Sequence, residues 1–295
     1  MSKDTLKWVY LAILSLVWGS SFILIKKSLI GLTPLQLGSL RILFAGVFLL
    51  LIGFSSLRKI QKKEWKWIII SAFVGTFFPV FLFAYAQTEI DSAITSILNS
   101  TTPLLTLLLG SLLFSINFSR SQLIGIIVGL VGCCALIWIG SNVHPNQNYW
   151  FAGLVIIASI LYAANVNIIK RYMQHIGAMS IAVGNFIFLI IPAIIVLYFT
   201  DFFTAETLST KEVHHSLGYV GILAVIGTAT AKVLFNKLVQ ISNPIFASSV
   251  TYTIPVVAFT WGILDGEDFT FLQFISAGII IIGVFISNRK KKETT

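Results

Sequence analysis

Charged side chains are scarce in this chain, since Asp, Glu, Lys and Arg together make up 11% of its 295 residues. Soluble domains carry about 25% charged residues, so this number of charges could not cover the surface of a soluble globule. Cysteine is also scarce: Cys133 and Cys134 are the only two, and adjacent cysteines cannot build a disulfide framework. These shortages argue against a soluble, a disordered and a disulfide-stapled protein.

Long apolar runs dominate the sequence, which has 57% hydrophobic residues and a mean hydropathy of +0.92. A helix that crosses a bilayer needs about 20 mostly apolar residues. The runs are continuously apolar and lack the alternation of membrane β-strands. They predict an all-α polytopic membrane protein with ten transmembrane helices, at 7–26, 34–54, 66–87, 92–114, 120–139, 149–169, 178–200, 217–238, 244–265 and 270–288.

The net charge of +9 is explained by topology rather than by nucleic acid. With ten spans, both termini and every second loop lie on one side of the membrane, and most Lys and Arg residues fall there. The other side holds only Lys26, Lys27 and Lys211. By the positive-inside rule this bias predicts cytoplasmic N- and C-termini, and it disfavours a nucleic-acid partner.

The chain resembles an internal duplication. Residues 13–41 match the second half after a shift of 144, and residues 72–110 match it after a shift of 152. Matched glycine and proline positions are harder to attribute to chance than matched apolar ones. Informative pairs are Trp18 with Tyr162, Ser21 with Asn165, Lys26 with Lys170, Arg41 with Asn185, Gly75 with Gly227, Thr76 with Thr228, and Pro103 with Pro255.

Each half contains five predicted spans, and an odd number places the second half upside down relative to the first. Inverted repeats of this kind are typical of secondary transporters, because two conformers that exchange the roles of the halves are close in energy. We therefore predict a first repeat at 1–139, a linker at 140–148, a second repeat at 149–288 and a basic cytoplasmic tail at 289–295.

Short motifs at matching places resemble one transporter family. The chain resembles an EamA-type transporter of the drug/metabolite transporter superfamily. The residues that carry the resemblance are Trp18-Gly19-Ser20-Ser21-Phe22, Lys26, Pro34, Arg41, Pro103, Pro255, Gly266-Glu267 and Gln273. It departs from the family in one place, because Ile116 stands where the first half would carry the counterpart of Glu267. The resemblance implies ten helices and movement of small metabolites, amino acids or drugs, often outward.

Lys232 is the sharpest single candidate for the transport site. A charged side chain in the middle of a membrane helix is costly, so it is a functional candidate by default. Thr228, Lys232 and Asn236 follow at intervals of four and form one polar stripe. Lys232 would either meet a substrate anion or remain uncharged. Structural hydrogen bonding and snorkelling to an interface are the alternatives. Arg41 lies nearer a helix end, where we expect a structural anchor.

Aromatic and small polar side chains at matched mid-span positions complete the predicted site. Aromatic faces suit apolar or cationic ligands, and the polar groups supply hydrogen bonds. Packing against lipid or neighbouring helices is the alternative for the aromatic residues. The predicted substrate-binding residues are Lys232, Thr228, Asn236, Trp18, Ser21, Tyr162, Asn165, Thr76, Asn99, Thr102, Tyr252 and Thr253.

Pro103 and Pro255 are predicted hinges, because a proline interrupts the helical hydrogen-bond ladder and broken helices in matching positions point to a transporter site. A kink without ligand contact is the alternative. Gly125 and Gly129 form a GxxxG pattern, which permits close helix packing within the monomer or in a dimer.

The leading hypothesis is a secondary transporter, a permease or exporter that moves a small metabolite, amino acid or drug-like solute by alternating access. We expect it in a bacterial cytoplasmic (inner) membrane, as a monomer or homodimer, with no metal and no cofactor. Its energy would come from a coupling proton, an exchanged solute or the substrate's own gradient. An enzyme is disfavoured, because no P-loop or Gly-x-Ser-x-Gly motif is present and the four histidines fall in predicted loops. A transporter-like receptor or assembly factor remains an alternative.

Overall fold

The computed structural model describes residues 3–114, 120–143 and 147–288, and every regular element in these ranges is a helix. The α-helices in chain order are α1 Lys3–Ser28, α2 Pro34–Gly53, α3 Trp65–Ala72, α4 Phe78–Ala86, α5 Ser92–Asn99, α6 Thr102–Phe114, α7 Arg120–Val143, α8 Ala152–Tyr172, α9 Ala178–Tyr198, α10 Ala205–Ser209, α11 Lys211–Ile222, α12 Ala231–Ile241, α13 Pro244–Ser248, α14 Ile254–Leu264 and α15 Phe271–Asn288.

Eight helical stretches of the described chain are long and apolar enough to cross a membrane. They are Thr5–Ser28, Pro34–Lys59, Lys62–Ala86, Ser92–Leu113, Tyr149–Tyr172, Ala178–Tyr198, Lys211–Ile241 and Pro244–Leu264. Helices α7 and α15 contain shorter apolar stretches, at Ile127–Ile139 and Phe271–Gly283. The protein is therefore an all-helical integral membrane protein.

Helix α2 illustrates how local sequence sets a helix start. The Thr33 hydroxyl accepts from the Gln36 backbone N–H at 3.3 Å, and the Gln36 side-chain oxygen accepts from the Thr33 N–H at 3.0 Å. This capping box satisfies two N–H groups that would otherwise lack partners. Pro34 occupies the first turn, where its missing N–H costs nothing, so the helix begins where the sequence predicts.

Two membrane stretches contain a π-helical segment. Phe73–Phe77 joins α3 to α4, and Leu223–Thr230 joins α11 to α12. Each segment contains one member of the matched glycine pair, Gly75 or Gly227. π-Helical turns are rare and often found at functional sites. Their occurrence at matched positions therefore makes these two stretches candidates for a functional site.

The stretches that carry the matched prolines are interrupted just before them. Helix α5 ends at Asn99 and α6 begins at Thr102, while a 3-10 segment, Ser249–Tyr252, separates α13 from α14. Pro103 and Pro255 thus lie in the first turn of a new helix rather than at a bend inside a continuous one.

Threonine hydroxyls satisfy carbonyl groups at both interruptions. Thr102 donates to the Asn99 carbonyl at 2.7 Å, and Thr253 donates to the Val250 carbonyl at 3.0 Å. Such local side-chain bonds replace the missing helical ones. The polar residues beside the prolines therefore stabilise the breaks.

Helices from the two halves pack against each other throughout the core. Helix α2 packs against α9, and α7 packs against α15. A Cβ added to Gly283 would lie 2.4 Å from the Gly129 nitrogen and 2.7 Å from the Gly125 carbonyl oxygen. The GxxxG pattern is thus used for close packing of α7 against α15 within the chain.

Some helices extend beyond the predicted spans. The predicted span 217–238 belongs to a longer stretch, Lys211–Ile241, so His214 and His215 lie in α11 and not in a loop as predicted. Helix α7 continues to Val143, into the predicted linker. Hydropathy detects the segment that lipid surrounds, whereas backbone hydrogen bonding continues into polar sequence at the interface. His144 and the tail 289–295 lie outside the described residues.

Candidate substrate-binding cavity

A cavity lies between the two halves and contains most of the predicted site. Its volume is about 110 Å³. Nine of the predicted residues line it: Trp18, Ser21, Thr76, Asn99, Thr102, Tyr162, Asn165, Thr228 and Lys232. The remaining wall is largely apolar, and it also includes Arg41.

Lys232 is 7% exposed and reaches across to the first half. Its Nζ donates to the Gly75 carbonyl at 2.9 Å and to the Thr76 hydroxyl at 2.9 Å. Both acceptors lie in the π-helical segment between α3 and α4. Lys237, on the same helix, is exposed. The side chain of Lys232 therefore points into the bundle and does not snorkel to an interface.

Arg41, which was expected to be a structural anchor near a helix end, lies in the cavity wall. The residue is 8% exposed, lines the cavity and donates from Nε to the Thr228 hydroxyl at 2.6 Å. That hydroxyl in turn donates to the Leu223 carbonyl at 3.0 Å. The direction of a side chain on its own helix could not reveal this contact, because the partner comes from the π-helical segment packed against α2.

Aromatic side chains form much of the apolar wall. Trp18 donates from its indole N–H to the Gly227 carbonyl at 3.0 Å and packs against Phe235, with 5.0 Å between ring centroids. Tyr162 stacks on Phe83, with ring centroids 5.8 Å apart. The matched carbonyls of Gly75 and Gly227 thus accept hydrogen bonds from Lys232 and Trp18, respectively.

The matched glycines also allow two polar side chains to approach closely. A Cβ on Gly75 would lie 2.4 Å from the amide carbon of Asn165, and one on Gly227 would lie 2.7 Å from the Ser21 hydroxyl. Asn165 is held by a hydrogen bond from Ser71 at 2.6 Å. Each half therefore places its glycine against the polar residue of the other half.

Three predicted residues do not line the cavity. Asn236 is fully buried and donates weakly to the Ala178 carbonyl at 3.4 Å. The Thr253 hydroxyl bonds to that of Ser15, and Tyr252 packs beside Leu107 in a separate cluster. The contacts of these three residues therefore lie outside the cavity wall, and their part in substrate binding stays a prediction.

The sequence analysis did not predict the ion-pair cluster beside the cavity, although Lys26 and Glu267 are among the residues that carry the family resemblance. We call Lys26, Lys27, Asp265 and Glu267 the ionic cluster. Lys26 contacts Asp265 and Glu267, each at 2.9 Å, and Lys27 also pairs with Asp265. Burial alone would raise the pKa of Asp265, but hydrogen bonds from Lys26 and Lys27 hold this pKa below its usual value.

Glu267 also caps the start of α5. Its carboxylate accepts from the Ser92 hydroxyl at 2.6 Å, from the Ser92 N–H at 3.2 Å and from the Ala93 N–H at 3.2 Å. A carboxylate is stabilised at a helix N-terminus by the free N–H groups and the helix dipole. Glu267 thus joins three parts of the chain: the end of α1, the start of α5 and the loop after α14.

The matched position at the end of α8 is held differently. Lys170 donates to the Ser242 carbonyl at 2.5 Å and to the Gln174 amide oxygen at 3.5 Å. Nearby, Glu64 contacts His175 at 2.6 Å. Ile116, the predicted counterpart of Glu267, lies outside the described residues.

Membrane helices around a buried, partly polar cavity define the class of membrane transport proteins. Residues 6–138 and 150–289 match the model of the EamA-like transporter family. The chain therefore belongs to this family, and the resemblance found in the sequence is confirmed.

Relatives and a solved structure agree with this assignment. The chain is 27% identical to the uncharacterized inner membrane transporter YedA of Escherichia coli, over 92% of this chain and 87% of that protein. It is 25% identical to a probable amino-acid metabolite efflux pump of Salmonella typhimurium, over 94% and 93%. One crystal structure shares the fold, with a TM-score of 0.68, 16% identity and coverage of 97% of each chain.

Proposed function

We propose that this protein is a secondary transporter that exports a small metabolite, amino acid or drug-like solute by alternating access. The observation that carries the proposal is the cavity itself, which is lined by both halves and contains two buried basic side chains, Arg41 and Lys232. Polar and ionisable groups inside a membrane bundle mark substrate paths. The name of the Salmonella relative, a probable amino-acid metabolite efflux pump, agrees with export.

We propose ten transmembrane helices arranged as two inverted repeats, with α7 and α15 as the fifth and tenth. The exchanged contacts support this arrangement: Gly75 packs on Asn165, and the matched Gly227 packs on the matched Ser21. Likewise α1 packs against α12 and α14, as α8 packs against α4 and α6. We retain the predicted repeats 1–139 and 149–288, the linker 140–148 and the tail 289–295.

The ionic cluster is the proposed gate at one end of the path. Ile25 lines the cavity and directly precedes Lys26, so the cluster lies beside the cavity wall. Opening that end requires separation of α1 from the loop after α14, which breaks the ion pairs. The interruptions before Pro103 and Pro255 are the proposed hinges for this movement, because they divide two wall-forming stretches.

Flux through purified protein in sealed liposomes tests the proposal. We expect uptake or exchange of at least one solute from a panel of amino acids, organic acids, nucleosides and cationic drugs. Replacing Lys232 with Gln should abolish or redirect this flux, whereas Lys237→Gln, on the exposed face of the same helix, should not. Chemical conversion would indicate an enzyme, and binding without flux would indicate a receptor.

Cysteine labelling tests the proposed topology. In a chain whose Cys133 and Cys134 are replaced by alanine, Gln61→Cys should react with an impermeant reagent only from the cytoplasmic side. Thr207→Cys should react only from the other side. Labelling of both residues from one side would contradict the arrangement with cytoplasmic termini.

A further inference from the structure

The charge of the cavity wall indicates which solutes it accepts. The described residues that line the cavity include Arg41 and Lys232 but no aspartate or glutamate. Buried charges in proteins are normally paired. Here each basic group bonds only to neutral oxygens: Lys232 to Gly75 and Thr76, and Arg41 to Thr228. The wall thus offers two basic side chains with no carboxylate beside them among the described residues.

The hydrogen bonds that hold Lys232 and Arg41 do not use all the N–H donors of these two side chains. A lysine ammonium has three N–H donors and a guanidinium has five. The bonds to Gly75 and Thr76 use two donors of Lys232, and the bond to Thr228 uses the Nε–H of Arg41. The terminal nitrogens of Arg41 form the edge that binds a carboxylate in a bidentate manner. The matched threonines therefore fix two cations whose remaining donors can receive an oxyanion.

The aromatic residues of the cavity wall indicate which kind of solute can bind beside the two basic side chains. Trp18, Phe22, Phe83, Tyr162 and Phe235 all line the cavity. These rings can bury an apolar or aromatic group of the solute. A positively charged solute would be repelled by two cations in a medium of low dielectric constant.

We propose that the transported solute is a small organic anion, whose carboxylate is recognised by Arg41 and Lys232 and whose apolar or aromatic body contacts the ring-lined wall. This inference rests on the proposed transport function and specifies its substrate class. Neutral analogues that lack the carboxylate are poor ligands, because they leave both cations without a counter-charge.

Binding to the unmodified protein is the primary test, since it does not depend on a variant that folds. Thermal stability of the purified protein is measured with 3-phenylpropionate, phenylpyruvate and 4-methyl-2-oxopentanoate, and with the amide of each. Phenyl phosphate and 2-phenylethylamine complete the panel. We expect the acids to raise Tm by several degrees, and the amides and the amine to leave it unchanged.

Variants then assign the effect to the two cations. Arg41→Gln and Lys232→Gln should each weaken binding of the acids about 10- to 100-fold, the usual effect of losing a hydrogen bond to a charged group. Arg171→Gln and Lys237→Gln, on exposed positions, should bind as the parent does. Unchanged acid affinity in the two cavity variants would overturn the inference.

The remaining outcomes separate this inference from the proposed function. Equal response to acid and amide, a stronger response to the amine, or no response to any compound overturns the anion inference. A stronger response to phenyl phosphate moves the specificity from carboxylate to phosphate and overturns it as stated. Flux of any neutral or cationic solute in liposomes would still support transport. Binding of acids with no flux of any solute would instead overturn the transport function.

Discussion

The ends of α1 and α8 are held by different chemistry, although their lysines, Lys26 and Lys170, stand at matched positions in the sequence. At one end Lys26 joins Asp265 and the buried Glu267, which also caps α5. At the other end the matched Lys170 contacts a backbone carbonyl and an amide oxygen. Both matched positions thus carry a lysine, while only Lys26 has carboxylate partners among the described residues.

This difference bears on how an inverted repeat works. Two conformers that exchange the roles of identical halves would be equal in energy. A buried carboxylate bound by several donors at one end favours the conformer that is closed there. We therefore expect the ionic cluster to set the resting state, and disruption of its members to reduce the asymmetry.

The largest effect is expected for Glu267→Gln. The carboxylate accepts hydrogen bonds from Ser92 and Ala93 at the start of α5, and the neutral amide is a weaker acceptor for them. Because hydrogen bonds to charged groups contribute about 1.5–3 kcal/mol, we expect the purified protein to lose stability by about 3 kcal/mol, measured by chemical unfolding. Glu206→Gln, at an exposed position, is the control and should change stability little. If Glu267→Gln were as stable as the parent protein, the ionic cluster would not hold the end of α1 more strongly than Lys170 holds the end of α8.

A second comparison concerns the matched glycines. Gly75→Ala places a methyl group 2.4 Å from the fixed Asn165 amide, whereas Gly227→Ala meets a smaller serine hydroxyl at 2.7 Å. Overpacking costs about 1–3 kcal/mol, and we expect Gly75→Ala near the upper value and Gly227→Ala near the lower. Gly221→Ala, which has open space around it, should be neutral or stabilising. The opposite order of Gly75 and Gly227 in unfolding measurements would contradict the geometry.

Replacement of the matched lysines, Lys26 and Lys170, should change stability less than replacement of the matched glycines. The Lys26 side chain is 33% exposed, so Lys26→Gln is expected to cost only about 1 kcal/mol. Lys170→Gln should cost less, because it loses bonds to neutral acceptors only. A double-mutant cycle of each lysine with Glu267 is the measurement: coupling is expected for Lys26 and none for Lys170.

The smallest effect is the pH dependence contributed by Asp265, whose pKa is held below its usual value in the folded protein. A carboxyl group with a lowered folded pKa stabilises the fold above its unfolded pKa of about 3.9. That contribution is lost as the pH falls through the lower folded value. Between pH 7 and pH 5 we expect no loss from this group. In acid titrations, Asp265→Asn should show a shallower decline below about pH 4 than the parent, and identical curves would exclude a role for this ion pair.

Hydropathy, charge bias and internal matching were enough to predict the helical class, most span positions and nine residues of the cavity wall. They succeeded because the need for an apolar surface in lipid and the period of a helix are properties of local sequence. Trp18 and Tyr162, or Thr76 and Thr228, could be paired without coordinates for the same reason, since duplication leaves its record in the order of residues.

Tertiary structure alone decided the rest. Asn236 lies one helical turn beyond Lys232 and meets the Ala178 carbonyl of another helix instead of the cavity. Arg41 turned out to face the cavity because Thr228 of another helix accepts its hydrogen bond, and Glu267 became a helix cap because Ser92 lies against it. Sequence by itself determined where most of the long apolar helices lie and which positions of the two halves match. Contacts between residues far apart in the chain determined which polar groups meet, because a hydrogen bond depends on where two helices pack, and neither helix encodes that position alone.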